Sequence, residues 1–244
     1  MYDFDQLVET KEKIYFGIML IISILLYTAL FISIVGIGYL LAGALAIYCS
    51  NGLYIGYLKQ NAVKVSKNQF GDIYAIVENY SKQLQLKKIP EIYVLQSGGV
   101  LNAMVCRFRY RNFMIIFSNV LELAYEQGEE AVKFIVAHEL AHIKRKHLSK
   151  RVFVLPGMLI PFLSSAYSRS CEFTCDNIAA RLASVEPTKG LLLLLAGQKL
   201  YNKVDTNEFL SESKKEKDFW TWFAEIISSH PSLSSRLAKR IASH

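Results

Sequence analysis

Residues 129–150 read EEAVKFIVAHELAHIKRKHLSK, and the centre of this stretch, His138-Glu139-Leu140-Ala141-His142, has the form H-E-x-x-H. Residues four apart on a helix lie one above the other on the same face. His138 and His142 can therefore offer two imidazole nitrogens to one zinc ion, with Glu139 beside them and within reach of a water at the metal. The flanks predict a helix. Ala131, Phe134, Ile135, Ala137, Leu140, Ala141 and Ile143 fall close to a helical stripe. Glu129 and Glu130 stand at the start, where the helix dipole favours negative charge, and Lys144, Arg145 and Lys146 stand toward the end. His147, five residues past His142, is expected to point elsewhere, as part of the basic face.

A catalytic zinc keeps three protein ligands and one open position. The candidate third ligand is Glu172, in Ser170-Cys171-Glu172-Phe173-Thr174-Cys175-Asp176, a segment that reads as helical through Ile178, Ala179, Arg181 and Leu182. Glu172 and Asp176 share a face, so Glu172 can bind the metal while Asp176 orients a ligating histidine through its second ring nitrogen. Cys171 and Cys175 are one turn apart and are not assigned as ligands. With Cys49 and Cys106 they form no disulfide framework, which points to a reducing compartment.

H-E-L-A-H followed by S-R-S-C-E-F-T-C-D resembles the membrane-anchored gluzincin endopeptidases that include HtpX and the CAAX prenyl proteases. Asn102-Ala103 before a strand, Ser118-Asn119-Val120-Leu121 leading into the zinc helix, and His230-Pro231 with Arg236 follow in the family's order. The resemblance covers roughly residues 73–241 and implies a zincin-type metallopeptidase fold with one zinc per chain. It also implies that the strand around Asn102 and Ala103 lies above the zinc helix and pairs with an extended substrate, a mode with little side-chain selectivity. By the same resemblance His230 or Arg236 supplies a donor to the oxyanion, or His230 takes the fourth zinc position at rest. Two departures stand out. The apolar stretch after the zinc helix is shorter than the pair of spans in HtpX, and Lys144 is charged where many zincins are apolar.

The chain of 244 residues suits one catalytic domain with a small appendage. Its net charge of +7 comes with no nucleic-acid recognition motif, so no nucleic-acid partner is expected and an anionic bilayer is the better match. No charged residue occurs from Ile14 to Tyr48, too long for one span of about 20 residues. This predicts two transmembrane helices in a hairpin, broken between Ser33 and Gly38, with Tyr15, Tyr48, Tyr54 and Tyr57 available at the interfaces. Lys11 and Lys13 flank one end and Lys59, Lys64 and Lys67 the other. Both ends, and the catalytic domain, are accordingly expected on the cytoplasmic side of a bacterial inner or plasma membrane.

The remaining chain predicts a helix over 70–86, strands at Ile92–Leu95, Ala103–Phe108 and Phe113–Phe117, a turn at Ser97-Gly98-Gly99, and a short helix over 119–125 N-capped by Ser118. Val152 to Tyr167, with Pro156 and Pro161, is too short to span and reads as interfacial or re-entrant. A helix is expected from Pro187 to Val204 and a mobile loop over 205–218. The aromatics Phe219, Trp220, Trp222 and Phe223 are expected in the core, or else at a substrate lip or membrane contact. The whole is an α+β chain: a short N-terminus (1–13), a transmembrane helical hairpin (14–58) and a mostly helical metallopeptidase domain with a small sheet (59–244). Its expected partners are protein or peptide substrates and the lipid bilayer, in a quality-control role. The rival reading is a non-catalytic membrane adaptor stabilised by zinc.

Overall fold

The computed structural model describes residues 3–96, 98, 102–183, 187–197 and 200–242. After a 3₁₀ turn at Phe4–Leu7, two long helices form the hairpin, α1 (Thr10–Phe31) and α2 (Ile34–Asn61). The break is at Ile32 and Ser33, where the Ser33 side chain accepts from the Gly36 N–H and caps α2. Both helices are long and apolar enough to cross a membrane, and most of that apolar surface is uncovered, as at Ile21, Leu25, Phe31, Ile34 and Leu41.

Among the described residues a small sheet and nine further α-helices follow: β1 (Val63–Lys64), α3 (Gly71–Gln83), β2 (Glu91–Leu95), β3 (Ala103–Phe108), β4 (Arg111–Phe117), α4 (Ser118–Gln127), α5 (Glu130–Lys144), α6 (His147–Phe153), α7 (Leu163–Ala183), α8 (Pro187–Ala196), α9 (Thr206–Lys215), α10 (Phe219–Ile227) and α11 (Leu233–Ile241). The strands lie in the order β1-β2-β4-β3, with β2 and β4 parallel and the outer pairs antiparallel. Strand side chains alternate between faces, and here both faces are buried. Ile92, Val94, Met114 and Ile116 face the main core of α3, α4, α5, α7, α8 and α11. Tyr93, Phe113 and Ile115 face the other way, against Ile55 and Leu58 near the end of α2. The second helix of the hairpin thus also covers the sheet. A third cluster joins α1 to α7 through Met19, Val154, Tyr167 and Cys171.

Several expectations are corrected. Residues 205–218 are mostly the helix α9. The Asp205 side chain accepts from the Asn207 and Glu208 N–H groups, Lys214 and Lys215 close the last turn, and Phe209 and Leu210 lie against the core. Ser118 is the first residue of α4, not its cap; Phe117 holds that position without a side-chain cap bond. The helix from Pro187 stops at Ala196, and Gly197 follows at φ 77°. Phe219, Trp220 and Trp222 are 57–70% exposed, so this cluster is surface rather than core. The N-terminal segment packs on the domain, with Phe4 and Val8 buried. Of the turn after β2, Gly98 sits at φ 60°, while Ser97 and Gly99 lie outside the described residues.

Candidate metal centre

The site is built where α5 crosses α7 beneath β3. Helix α5 is buried on nearly every side (Val132, Phe134, Ile135, Val136, Ala137, Leu140 and Ala141), so its path is fixed by packing. Behind it, Gly190 of α8 lets the two helices approach closely: a Cβ there would lie 2.6 Å from the Phe134 ring.

Three side chains converge on one point, and a fourth, His230, meets one of them. His138 Nε2 and His142 Nε2 are 3.3 Å apart. The Glu172 carboxylate meets both, Oε2 at 3.3 Å from His138 Nε2 and Oε1 at 3.4 Å from His142 Nε2. His230 Nδ1 lies 3.3 Å from Glu172 Oε2, although its side chain is otherwise largely exposed. Zinc bonds to nitrogen and oxygen are about 2.0–2.1 Å, so the edges of a tetrahedron around zinc measure about 3.3 Å. The donor set and its spacing fit that ion. Cys175 is also near His138 and His142, yet its thiol contacts His147 Nδ1 at 3.8 Å. The carboxylate that bridges both imidazoles is the better third donor.

Behind the convergence stands a second layer. His138 Nδ1 is 2.9 Å from Asp176 Oδ1, and Arg236 forks onto the same carboxylate, Nε to Oδ2 at 2.8 Å and Nη2 to Oδ1 at 2.6 Å. Asp176 and Arg236 are both buried. Two of Arg236's donors are therefore spent on Asp176 rather than turned to the open cleft. His147 does not point away as expected. Lys146 adopts a left-handed conformation (φ 57°), which breaks the helix and swings His147 back until its Nδ1 is 3.0 Å from His142 Nδ1.

The electrostatics follow from burial and pairing. Burial lowers the His138 imidazole, but its bonds to Asp176 and Glu172 outweigh this and carry it up to about 10. Burial raises Glu172, and the three histidines around it nevertheless hold it well below the carboxylate range. Asp176 is likewise held down, against its burial, by His138 and Arg236. Burial raises Glu139 above an ordinary carboxylate, and burial lowers His147 to about 4. His230 is raised by its bond to Glu172.

The centre opens into a cleft of about 470 Å³ whose lining includes Asn102, Ala103, Met104, Val105, Glu139, Met158, Tyr167, Ser168 and His230. β3 forms its roof as an edge strand, since only β4 pairs with it among the described residues. Ala103 is buried at its start. The exposed Asn102 uses its Oδ1 to accept from the Ala103 N–H, while its backbone carbonyl accepts from the Phe117 N–H.

A comparison with curated proteins finds no match. The sequence model of peptidase family M48 matches residues 67–166 and 152–241, a region that holds every residue of this centre. With most of its length matched, the chain belongs to peptidase family M48, a family of zinc-dependent metallopeptidases.

Proposed function

We propose that this protein is a membrane-anchored zinc endopeptidase in which His138, His142 and Glu172 hold the metal and Glu139 is the general base. The observation that carries the reading is the meeting of the two imidazoles and the carboxylate at 3.3–3.4 Å, with Glu139 lining the same cleft. When bound, zinc supplies a Lewis acid that polarises a carbonyl and eases the ionisation of water. Glu139 takes a proton from the attacking water and returns it to the leaving amine. Burial favours its protonated form, which suits a group that must hold that proton between the two steps. His230, largely exposed at the rim, donates to the developing oxyanion or closes on the metal at rest. Arg236, through Asp176, positions His138. The free edge of β3, at Asn102 and Ala103, receives the substrate backbone.

The bilayer is the second partner. From Ile34 to Tyr48, where Arg109 Nε donates to the phenol oxygen at 3.0 Å, α2 rises about 21 Å. A hydrocarbon core measures about 30 Å. The apolar slab therefore extends onto the domain, whose exposed Val152, Phe153, Leu159 and Phe162 are tied to α1 by the Tyr27 hydroxyl donating to the Val152 carbonyl at 2.8 Å. Met158 brings the cleft wall to the same level, which suits proteins in or near the membrane, as in quality control. The basic flanks of the hairpin put the catalytic domain on the cytoplasmic side.

The test measures zinc content and casein cleavage for the detergent-solubilised wild type and Glu139→Gln. About one zinc per chain in both, with cleavage lost only in the variant, is the expected outcome. Full cleavage by Glu139→Gln removes Glu139 as the base. Zinc without cleavage in either protein favours the adaptor.

A further inference from the structure

We infer that the first anchoring helix is itself part of the metal centre: Glu12, in the first turn of α1, fixes the orientation of His142 through His147. The inference rests on the reading of His142 as a ligand. With Nε2, which faces Glu172, given to the metal, the His142 proton sits on Nδ1, 3.0 Å from His147 Nδ1. His147 then accepts on Nδ1 and carries its own proton on Nε2, 3.3 Å from Glu12 Oε1. Arg145 donates to the same oxygen at 3.1 Å. Glu12 and His147 are both buried, at 1% and 9% exposure.

The result repeats the other arm of the site. His138 is held by a carboxylate backed by an arginine (Asp176 and Arg236), and His142 by an imidazole, a carboxylate and an arginine (His147, Glu12 and Arg145). Such partners fix the tautomer and the ring plane of a ligating histidine. A second cation among Glu12, His147 and Cys171, which also cluster, is the weaker reading. Arg145 and Lys150 (3.9 Å) already face that carboxylate oxygen, and both would repel an ion placed there.

The test is zinc affinity by chelator competition on the full-length protein in detergent, with melting temperature recorded in parallel. Glu12→Gln and His147→Leu are expected to bind zinc about 10–100-fold more weakly. His147→Gln, whose amide can both accept and donate, recovers most of the loss. Glu9→Gln is the control. Glu9 anchors the same segment to Lys239 (2.6 Å) and Asn177 (2.9 Å) without touching His142 or His147, so its loss lowers the melting temperature and leaves zinc affinity intact. Glu12→Gln and His147→Leu both within twofold of wild type would overturn the inference, as would an equal loss of affinity in Glu9→Gln. His142→Ala separates the two levels. If it keeps wild-type affinity, the ligand assignment itself fails; if it alone weakens zinc, only the role of Glu12 and His147 fails.

Discussion

Asp176 answers to two cations at once, an imidazole on one oxygen and a guanidinium forked across both. Asp176→Asn removes the charge both partners need and leaves Arg236 buried opposite an amide. Breaking a buried pair from one side costs about 3–5 kcal/mol, so the metal-free variant is expected to melt well below wild type. Its zinc affinity, followed by chelator competition, falls about 10–100-fold. At this scale the sequence was largely legible, because H-E-x-x-H and Glu172-x-x-x-Asp176 each sit on one helix whose geometry fixes the spacing. His147 was not legible. Its place depends on a lysine in the left-handed region, a conformation lysine does not favour and no local signal announces. Glu12 lies 135 residues from its partner and, read alone, is one acid in a mixed-charge N-terminus.

Helices α5 and α8 meet at a glycine, and that contact sets how rigidly the metal helix is held. Gly190→Ala pushes a methyl into the Phe134 ring. Overpacking of this kind costs about 1–3 kcal/mol, visible as a lowered denaturation midpoint with the zinc ligands unchanged. At the other end of the sheet, Glu91 joins Arg111 (3.1 Å) and Lys64 (3.5 Å) across β4, β2 and β1. Burial raises its carboxyl, but Arg111 and Lys64 hold it below the ordinary value of 4.5. A depressed carboxylate stabilises the fold above its unfolded pKa and loses that contribution as pH falls through the folded one. Glu91→Gln is thus expected to cost about 0.5–1 kcal/mol at neutral pH, with the gap closing in acid, as urea melts at two pH values will report. The strands were readable because β2 and β4 are apolar on both faces. Helix α9 was not, because its composition is that of a loop and only the Asp205 cap and the end charges mark it.

Taken whole, the molecule carries its apolar hairpin and its cleft as one packed body. Its two tryptophans, Trp220 and Trp222, both lie on α10 and both are exposed. α10 in turn is fastened to α7 by Arg169, which donates to three backbone carbonyls between Glu225 and Ser228, and Phe223 meets Phe162. Intrinsic fluorescence therefore reports this one helix. In vesicles of brominated lipid the emission is expected to be strongly quenched relative to unbrominated vesicles of the same headgroup; equal emission in both would place α10 in water. The hairpin was visible in the sequence as an uncharged run, while the packing of α2 over the sheet emerged only in the structure.

The split of the centre between α1 and the C-terminal helices also bears on how the protein is made. Synthesis delivers α1 first, and domains fold in the order they emerge. Glu12 meets its histidine only 135 residues later, and Asp176 waits a further 60 for Arg236. Until Arg236 is made, the buried Asp176 behind His138 lacks its guanidinium partner. The blade is braced last, so each new copy is expected to reach full sharpness only once its C-terminal helix has been made.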